Sequence, residues 1–349
     1  MMTNIPTTMK GVRLIGHGGP EALEYSDNIS VPRPKANEVL IRVSAAGVNN
    51  TDINTRTAWY SKTAGNDGDA SWSGNALNFP RIQGADVCGV IVAVGDNVNV
   101  QRVGERVLIE PCIREHNSQI LDSPWYFGSE CDGGFAEFTV VAAKHAYSVT
   151  SDLSDVELAT FPCSYSTAEN MLTRAGVTAH DKVLITGASG GVGSAAIQLA
   201  KARGAYVIAI TSSAKKQQLL TLGADEVVLR DADLGDVIPV NSIDVVIDLV
   251  AGPQWSQLLE ILKVQGRYAV SGAIGGAHVE LDIRTLYLKD LRFFGCTILE
   301  PEVFQNLVNC IEQQKIVPIV AQSFPLTEIS AAQQMFLDKK HVGKIVLTL

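Results

Sequence analysis

The stretch that decides the fold reads VLITGASGGVGSAAIQLAKARG and runs from Val183 to Gly204. Its first four residues are apolar or β-branched, which is typical of a buried parallel strand. From Val192 onward, apolar residues recur at intervals of three and four and predict one buried face of a helix. Gly204 is the predicted helix stop. The stretch therefore predicts a strand, a glycine turn and a helix in succession.

Strand, glycine turn and helix in this order form the unit that binds a dinucleotide. Small side chains let the backbone approach a pyrophosphate, and the amino end of the helix presents N–H groups to it. A purely structural turn would also explain the glycines, but the flanking strand and helix favour cofactor binding. The turn residues predicted to bind the cofactor are Ser189, Gly190, Gly191, Val192 and Gly193.

The composition is that of a soluble protein with two domains. The chain has 349 residues, 46% of them hydrophobic and 19% charged, with a net charge of −9. This charge argues against nucleic acid or an anionic membrane surface as a partner. The six cysteines form no CxxC pair, the amino terminus lacks a signal-peptide pattern, and no apolar run reaches membrane-spanning length. We expect a cytoplasmic protein.

The pattern of elements changes along the chain. Residues 1–145 contain short strand patterns, for example at 11–15, 38–43 and 86–94. From about residue 164, strands and helices alternate, which predicts an α/β fold with a doubly wound parallel sheet. Strands are predicted at 206–211, 226–229, 243–249, 267–271, 291–298 and 344–349, and helices at 214–222, 254–264, 301–315 and 326–340.

Two stretches of the amino-terminal half show no such pattern. Residues 61–78 are rich in Gly, Ser, Asn and Asp but include Trp72, and residues 114–130 are polar but include Trp125, Tyr126 and Phe127. Long irregular loops in a compact domain are either functional or disordered. Their aromatic residues favour loops that pack over a cleft.

Several motifs in a fixed order resemble one family over the full length. They are Gly47-Val48-Asn49-Asn50-Thr51-Asp52, Gly84-Ala85-Asp86, Gly104-Glu105-Arg106-Val107, Gly133-Gly134-Phe135-Ala136-Glu137, Ser166-Thr167-Ala168, the glycine turn, Leu222-Gly223-Ala224-Asp225 and Gly343-Lys344. The chain resembles the medium-chain dehydrogenase/reductases, and within them the zinc-independent quinone-oxidoreductase branch. The resemblance implies a β-rich, GroES-like catalytic domain of residues 1–163, completed by 317–349. It also implies a Rossmann NADP-binding domain of residues 164–316 and an active site in the cleft.

The same resemblance bears on metal binding. The positions that hold zinc ligands in zinc alcohol dehydrogenases correspond here to Asn49, Ala85 and Cys163, with Asp86 at the position of a nearby acid. Catalytic zinc needs about three protein ligands, so we expect no bound metal. Cys163 is then interpreted as a small, buried hydrophobic residue. Without a Lewis acid, hydride delivery to a quinone or an activated double bond is favoured over alcohol oxidation.

The residues after the second strand of the nucleotide domain predict the cofactor. An NAD-binding fold carries an acid there for the ribose 2′-hydroxyl, whereas this chain has Thr211, Ser212, Ser213, Ala214, Lys215 and Lys216. Hydroxyls and lysines suit a 2′-phosphate, which predicts NADPH bound by Thr211, Ser212, Ser213 and Lys216. The alternative is that both lysines only solvate the start of the next helix.

Further cofactor contacts follow from strand ends and from the resemblance. The resemblance implies that Thr167 contacts the nicotinamide. Ligands bind beyond the carboxyl ends of parallel strands, which predicts a nicotinamide pocket near Val250, Gly272, Ala273 and Ile274, although ordinary turn packing would also explain these residues. Glu169 departs from the bulky aromatic residue common in this motif.

Three residues of the catalytic domain are the candidates for acid–base work. Asn49 is predicted to donate a hydrogen bond to a carbonyl oxygen, and Tyr60 to donate a proton through its phenol. Asp52 is the third candidate, although a structural role that holds Arg56 or a backbone turn explains it equally well. The six histidines show no metal-ligand spacing.

The sequence therefore predicts an NADPH-dependent reductase of quinones or α,β-unsaturated carbonyls. The alternatives are an alcohol dehydrogenase with an atypical zinc site, and a low-turnover NADPH-binding protein with a crystallin-like or redox-sensing role. Relatives commonly dimerise through the edge of the nucleotide-domain sheet, and the apolar run 291–298 is the candidate edge for a homodimer.

Overall fold

A computed structural model describes residues 5–62 and 68–349. By contacts between Cα atoms the chain divides into two compact units. The first unit contains Met1–Cys163, Pro318–Lys340 and Lys344–Leu349, and the second contains Ser164–Val317 and His341–Gly343. Within the described residues no helix is both long and apolar enough to cross a membrane.

The strands are numbered in chain order. They are β1 Thr8–Leu14, β2 Leu23–Ser30, β3 Glu38–Gly47, β4 Arg81–Ile82, β5 Cys88–Val94, β6 Arg106–Ile109, β7 Cys112–His116, β8 Gln119–Tyr126, β9 Phe138–Ala142, β10 Ala146–Ser148, β11 Lys182–Ile185, β12 Tyr206–Thr211, β13 Glu226–Leu229, β14 Ile243–Asp248, β15 Leu262–Val270, β16 Arg292–Gly295, β17 Val320–Pro325 and β18 Lys344–Thr348.

The helices follow the same convention. They are α1 Asn50–Arg56, α2 Asp155–Leu158, α3 Pro162–Arg174, α4 Gly191–Ala202, α5 Lys216–Thr221, α6 Leu234–Val237, α7 Trp255–Ile261, α8 Ile283–Leu288, α9 Val303–Glu312 and α10 Ile329–Leu337. Short 3-10 helices cover Pro20–Ala22, Val100–Arg102, Ala143–His145, Ser213–Lys215, Gly252–Gln254 and Leu326–Glu328.

The first unit is built on a mixed sheet in the order β10-β6-β5-β3-β18-β17, with β9 also paired to β3. β3 is the central strand, and nearly all of its side chains are buried, which explains its apolar sequence. β18 comes from the carboxyl terminus and pairs antiparallel with β3, so that Val346 lies opposite Gly47. This pairing brings the last residues of the chain to the segment that follows β3.

The second unit contains six parallel strands in the order β13-β12-β11-β14-β15-β16. Both neighbours of β11 pair with it in register at Val183, which lies opposite Val207 on one side and Val245 on the other. From β11 the chain adds β12 and β13 on one side of the sheet and then β14, β15 and β16 on the other. The change of side between β11 and β14 is the point where doubly wound folds bind ligands. The predicted α/β class and parallel sheet are confirmed.

The predicted strand–turn–helix unit is confirmed as β11 and α4. α4 ends where expected, because Gly204 has a φ of +83°, in the left-handed region that favours glycine. The N–H of Gly204 donates to the Lys201 carbonyl at 2.8 Å, and that of Ala205 donates to the Ala200 carbonyl at 3.1 Å. Both bonds satisfy carbonyl groups in the last turn of the helix.

The prediction of an irregular loop at 114–130 is wrong. Most of it belongs to the β7–β8 hairpin, in which Cys112 pairs with Tyr126. Asn117 and Ser118 have φ values of +53° and +62°, which is the backbone of a tight hairpin turn. β8 is largely exposed, so the sequence lacks the alternation that predicts a strand.

Other predicted boundaries need smaller corrections. The helix predicted at 254–264 ends at Ile261, because Leu262 pairs with Ile243 and starts β15. The described part of the predicted loop 61–78 contains no helix or strand, and residues 63–67 lie outside the described residues. Helices α1, α2, α3, α6 and α8 were not predicted.

Candidate active site

The glycine turn of the second unit lies between β11 and α4. Gly187 has a φ of +56°, and a Cβ added to Gly193 would lie 2.4 Å from the Gly187 carbonyl oxygen. A side chain cannot be placed at such an approach of two backbone segments. Gly190 is the N-cap of α4 and has an extended backbone. The predicted residues 189–193 therefore form a close turn at a helix amino end, which fits the pyrophosphate of a dinucleotide.

The end of β12 lies beside this turn. Lys215 is half-buried, and its Nζ lies 3.4 Å from the Ser189 hydroxyl oxygen. Burial, and secondly repulsion from Arg230, lower the pKa of the Lys215 ammonium. Lys216 is exposed at the start of α5. The structure thus places the Lys215 ammonium at the glycine turn, with Arg230 near enough to Lys215 to affect its pKa.

The other predicted residues at this site have different exposures. Thr211 is buried at the end of β12, Ser212 is half-buried and Ser213 is exposed. Thr167 lies on α3 and is half-buried. No acidic side chain stands between Thr211 and Lys216.

Of the residues predicted after β14 and β15, Val250 lies close to the glycine turn, and Gly272 lies close to the loop that contains Val250. A Cβ on Gly187 would lie 3.1 Å from the Val250 side chain, and one on Gly272 would lie 2.7 Å from the Leu249 carbonyl oxygen. Ala273 is half-buried and Ile274 is exposed. The structure therefore brings Val250 directly to the turn, with Gly272 against the loop that carries it.

In the first unit, Asn49 and Asp52 start helix α1. The Asn49 backbone N–H donates to a carboxylate oxygen of Asp52 at 2.8 Å, and the Gln83 side chain donates to the Asp52 carbonyl at 2.7 Å. Asp52 is buried, and this burial, with the negative charge of Asp86 as a smaller contribution, raises its pKa to about 7. The contacts match the structural alternative for Asp52, although it holds a backbone turn and not Arg56.

Asn49 also belongs to a buried network with Asp86 and Lys344. The Lys344 ammonium forms a 2.7 Å ion pair with Asp86 and donates to the Val48 carbonyl at 3.1 Å and to the Asn49 side-chain oxygen. The Asn49 amide nitrogen donates to the Asp86 carboxylate at 2.8 Å and to the Gly47 carbonyl at 3.3 Å. Both N–H groups of this amide are thus directed at the protein. This arrangement differs from the predicted donation by Asn49 to a substrate carbonyl.

Tyr60 follows α1 and keeps its phenol near the start of that helix. Its hydroxyl donates to the Thr51 hydroxyl oxygen at 3.1 Å. Burial raises the pKa of the Tyr60 phenol, and nearby Cys163 and Asp52 raise it further. The phenol is therefore protonated at neutral pH and available as a hydrogen-bond donor. Trp59 packs edge-on against its ring, with centroids 5.6 Å apart.

The two aromatic stretches of this unit meet at Cys163. The Tyr126 hydroxyl lies 3.0 Å from the Cys163 sulfur, and the Trp72 ring stacks on Tyr126 with centroids 5.1 Å apart. The Cys163 backbone N–H donates to Asp86 at 2.5 Å. Burial, and secondly the Asp86 charge, raise the pKa of the Cys163 thiol to about 12. Together with Ala85, these side chains form an apolar cluster beside the Lys344 network.

Comparison with known proteins decides the family. The model of the alcohol dehydrogenase GroES-like domain matches residues 35–151, and that of the zinc-binding dehydrogenases matches residues 191–313. Human quinone oxidoreductase is 30% identical, with 98% of each chain covered. The chain belongs to the medium-chain dehydrogenase/reductase superfamily. Within it, the chain falls in the quinone-oxidoreductase-like branch, as the sequence motifs indicated.

Two further members of this superfamily show its range. Acryloyl-coenzyme A reductase from Metallosphaera sedula is 30% identical, with 97% of this chain and all of the relative covered. A solved structure from Sinorhizobium meliloti 1021, provisionally assigned as an alcohol dehydrogenase, is 44% identical with a TM-score of 0.90, covering 99% of this chain and 98% of that one. As a member, the protein is an oxidoreductase that uses NAD(P)H.

Because one matching model describes zinc-binding dehydrogenases, the residues must be tested against zinc. The positions that resemble the zinc ligands hold the engaged amide of Asn49, the methyl group of Ala85 and the thiol of Cys163. Of these three positions, only the Cys163 sulfur is a usual zinc ligand. Across residues 5–62 and 68–349, no three His, Cys, Asp or Glu side chains are grouped to hold a metal. These residues do not fit catalytic zinc.

Four residues of the candidate sites described above were not predicted from the sequence. Lys344 was part of a quoted motif and Tyr126 of an aromatic stretch, but neither had an assigned role. Arg230 follows β13 as a basic residue at a strand end, which was an available signal. Thr51 had no signal beyond its place in the Asn49–Asp52 motif, because only the fold shows its contact with Tyr60.

Proposed function

We propose that the protein is an NADPH-dependent reductase of quinones or α,β-unsaturated carbonyl compounds that transfers hydride without a metal. The observation that carries this proposal is the Asn49–Asp86–Lys344 network, in which the engaged Asn49 amide occupies one of the positions resembling zinc ligands and the Lys344 ammonium lies beside it. Without a Lewis acid, the alkoxide formed in alcohol oxidation has little support. A quinone or enone spreads its developing charge to an oxygen that hydrogen-bond donors stabilise.

Tyr60 is the proposed donor to that oxygen. NADPH, when bound, supplies the hydride that adds to the activated carbon of the acceptor. The Tyr60 phenol keeps its proton at neutral pH and can turn from Thr51 to the acceptor oxygen, where it stabilises the negative charge and delivers the proton. Asn49 and Asp52 then act as positioning residues, because they hold the start of the helix that carries Thr51.

Lys215 supports the preference for NADPH. Its ammonium lies at the Ser189 hydroxyl, with Arg230 close enough to lower its pKa. A lysine ammonium beside a half-buried serine, with an arginine near that lysine, suits a 2′-phosphate. The absence of an acid from 211–216 removes the usual partner of the NAD ribose. Ser212 and Ser213 provide further hydroxyl donors.

Turnover tests the proposal directly. NADPH oxidation would be followed with a panel of quinones and enones, with a chelator present, and compared with NADH. We expect turnover that resists the chelator and a kcat/KM for NADPH at least about tenfold above that for NADH. Tight NADPH binding without turnover on any acceptor would favour the low-turnover binding protein instead.

The Sinorhizobium relative favours a second candidate, an alcohol dehydrogenase. Alcohol oxidation by NADP⁺ would be measured with the chelated protein and after zinc is added back. Activity that returns only with zinc would establish this candidate and contradict the reading of Cys163 as a neutral thiol.

We also propose a homodimer formed through β16. This strand ends the six-stranded order of the second unit, and Phe293 and Ile298 on this segment are 38% and 46% exposed. An exposed apolar edge is a common site of strand pairing between two copies. Light scattering should give a dimer for the wild type and a monomer for Phe293→Glu. Val100→Glu, at an exposed position of the first unit, is the control and should remain dimeric.

The cytoplasm is the proposed location. All six cysteines are free thiols, which suits a reducing compartment. Cell fractionation should find the protein with cytosolic markers, and recovery with the membranes would contradict the proposal.

A further inference from the structure

Asp248 is the last residue of β14 and is 0% exposed. One carboxylate oxygen accepts from the Thr186 hydroxyl at 2.5 Å and from the backbone N–H groups of Val250 and Ala251 at 2.9 and 3.0 Å. The other accepts from the Tyr268 hydroxyl at 2.5 Å. All four donors are neutral. Burying a carboxylate costs free energy, which these four hydrogen bonds offset.

Asp248 holds the loop of residues 249–252 in an unfavourable conformation. Ala251 has a φ of 54° and a ψ of −142°, a region that side-chain-bearing residues rarely adopt. Such a residue persists only when its surroundings over-determine it. Two contacts do so here, because Asp248 accepts from the Ala251 N–H and the Gly275 N–H donates to the Val250 carbonyl at 2.8 Å.

The same carboxylate connects this loop to the glycine turn. Thr186, which donates to Asp248, directly precedes Gly187. The Thr186 hydroxyl in turn accepts from the Leu249 N–H at 2.9 Å, and the Val250 side chain would lie 3.1 Å from a Cβ on Gly187. Asp248 therefore sets the separation between the two backbone segments at the carboxyl ends of β11 and β14. That is the crevice where a doubly wound sheet binds its dinucleotide.

We propose that Asp248 is a positioning residue for the nicotinamide end of the cofactor, acting through the strained 249–252 loop. This inference rests on the proposed function, since it assumes that NADPH binds in this crevice. The hydrogen bonds of Asp248 hold Val250 and Ala251 in one arrangement before the cofactor arrives. Binding then costs less loop ordering, and the nicotinamide is held in one orientation.

The test compares two ligands that share the adenosine end. NADPH contains the nicotinamide, whereas adenosine 2′,5′-bisphosphate lacks it. In Asp248→Ala, which removes both acceptor oxygens, we expect the Kd for NADPH to rise about tenfold and the Kd for the bisphosphate to stay within about twofold. Tyr268→Phe is the matched control, because it removes the partner of the other carboxylate oxygen and leaves the loop bonds in place. It should change neither Kd by more than about twofold.

A second substitution tests the strain itself. Glycine adopts the Ala251 backbone without a steric penalty, so adding Ala251→Gly to Asp248→Ala should recover part of the lost NADPH affinity. An unchanged Kd for NADPH in Asp248→Ala, or an equal loss for both ligands, would overturn the inference. If the wild type binds neither ligand, the proposed function fails instead. Thermal unfolding of each variant would establish that it is folded.

Discussion

The ammonium of Lys344 lies 2.7 Å from a carboxylate oxygen of Asp86, and both side chains are buried. Lys344 is the first residue of β18, and Asp86 lies just before β5. Two neutral groups complete the site: the Asn49 amide donates to Asp86, and the Val48 carbonyl accepts from Lys344. The network joins the amino-terminal and carboxyl-terminal segments of the first unit just before the helix that precedes the proposed proton donor, Tyr60.

Removal of the Lys344 charge should therefore destabilise the protein. Lys344→Met leaves Asp86 buried without its cation, and breaking a buried pair in this way costs about 3–5 kcal/mol. Chemical denaturation would measure the loss. Adding Asp86→Asn to the same chain removes the stranded charge and should recover much of the stability. Equal stability of Lys344→Met and wild type would show that the pair is energetically unimportant.

The raised pKa of Asp52 predicts a pH dependence of stability. Because its folded pKa is about 7 and its ordinary value 3.8, the folded state binds this proton more tightly than the unfolded state. Asp52 therefore contributes stability at pH below about 4 that is lost as the pH rises towards about 7, at no more than about 1.4 kcal/mol per pH unit.

Asp52→Asn removes this titration but keeps an oxygen that can accept from the Asn49 N–H. Its unfolding free energy relative to wild type should rise between pH 4 and pH 8, as measured by urea titration at each pH. The control is the same substitution at an exposed carboxylate, Asp27→Asn. A flat difference for Asp52→Asn would contradict a raised pKa.

Lys215 and Lys216 form a matched pair for testing cofactor choice. Lys215→Ala should raise the KM for NADPH about tenfold with little effect on NADH, because its ammonium lies at the glycine turn. Lys216→Ala removes an exposed ammonium on the next residue and should have a much smaller effect. Steady-state kinetics with both cofactors would decide this. The reverse order would restore the sequence prediction that Lys216 binds the phosphate.

Tyr60→Phe should lower kcat by about 10²-fold or more and leave KM for the acceptor nearly unchanged, because only proton delivery is removed. Tyr126→Phe removes another buried phenol of the same unit, whose partner is Cys163, and should have a smaller effect on kcat. Similar rates for Tyr60→Phe and wild type on every acceptor would exclude Tyr60 as the proton donor.

The glycine turn, the helix after it and the stop at Gly204 were determined by the local sequence alone. Their signals are the helical spacing of apolar residues and the need for glycine at close backbone approaches, and both are readable within about 20 residues. The same holds for the parallel strands β12 and β14, which are buried apolar runs. The predicted α/β class, sheet type and family followed from these signals and from the order of the motifs.

Only the tertiary structure decided the arrangement of the site. Lys344 meets Asn49 because β18 pairs with β3, and no local pattern encodes a contact between residues 295 positions apart. The same pairing changed the interpretation of Asn49, whose amide is engaged within the protein. The β7–β8 hairpin was unreadable because its second strand is mostly exposed and so lacks alternation. Local periodicity reports burial along one element, whereas a site depends on which elements become neighbours after the core has formed.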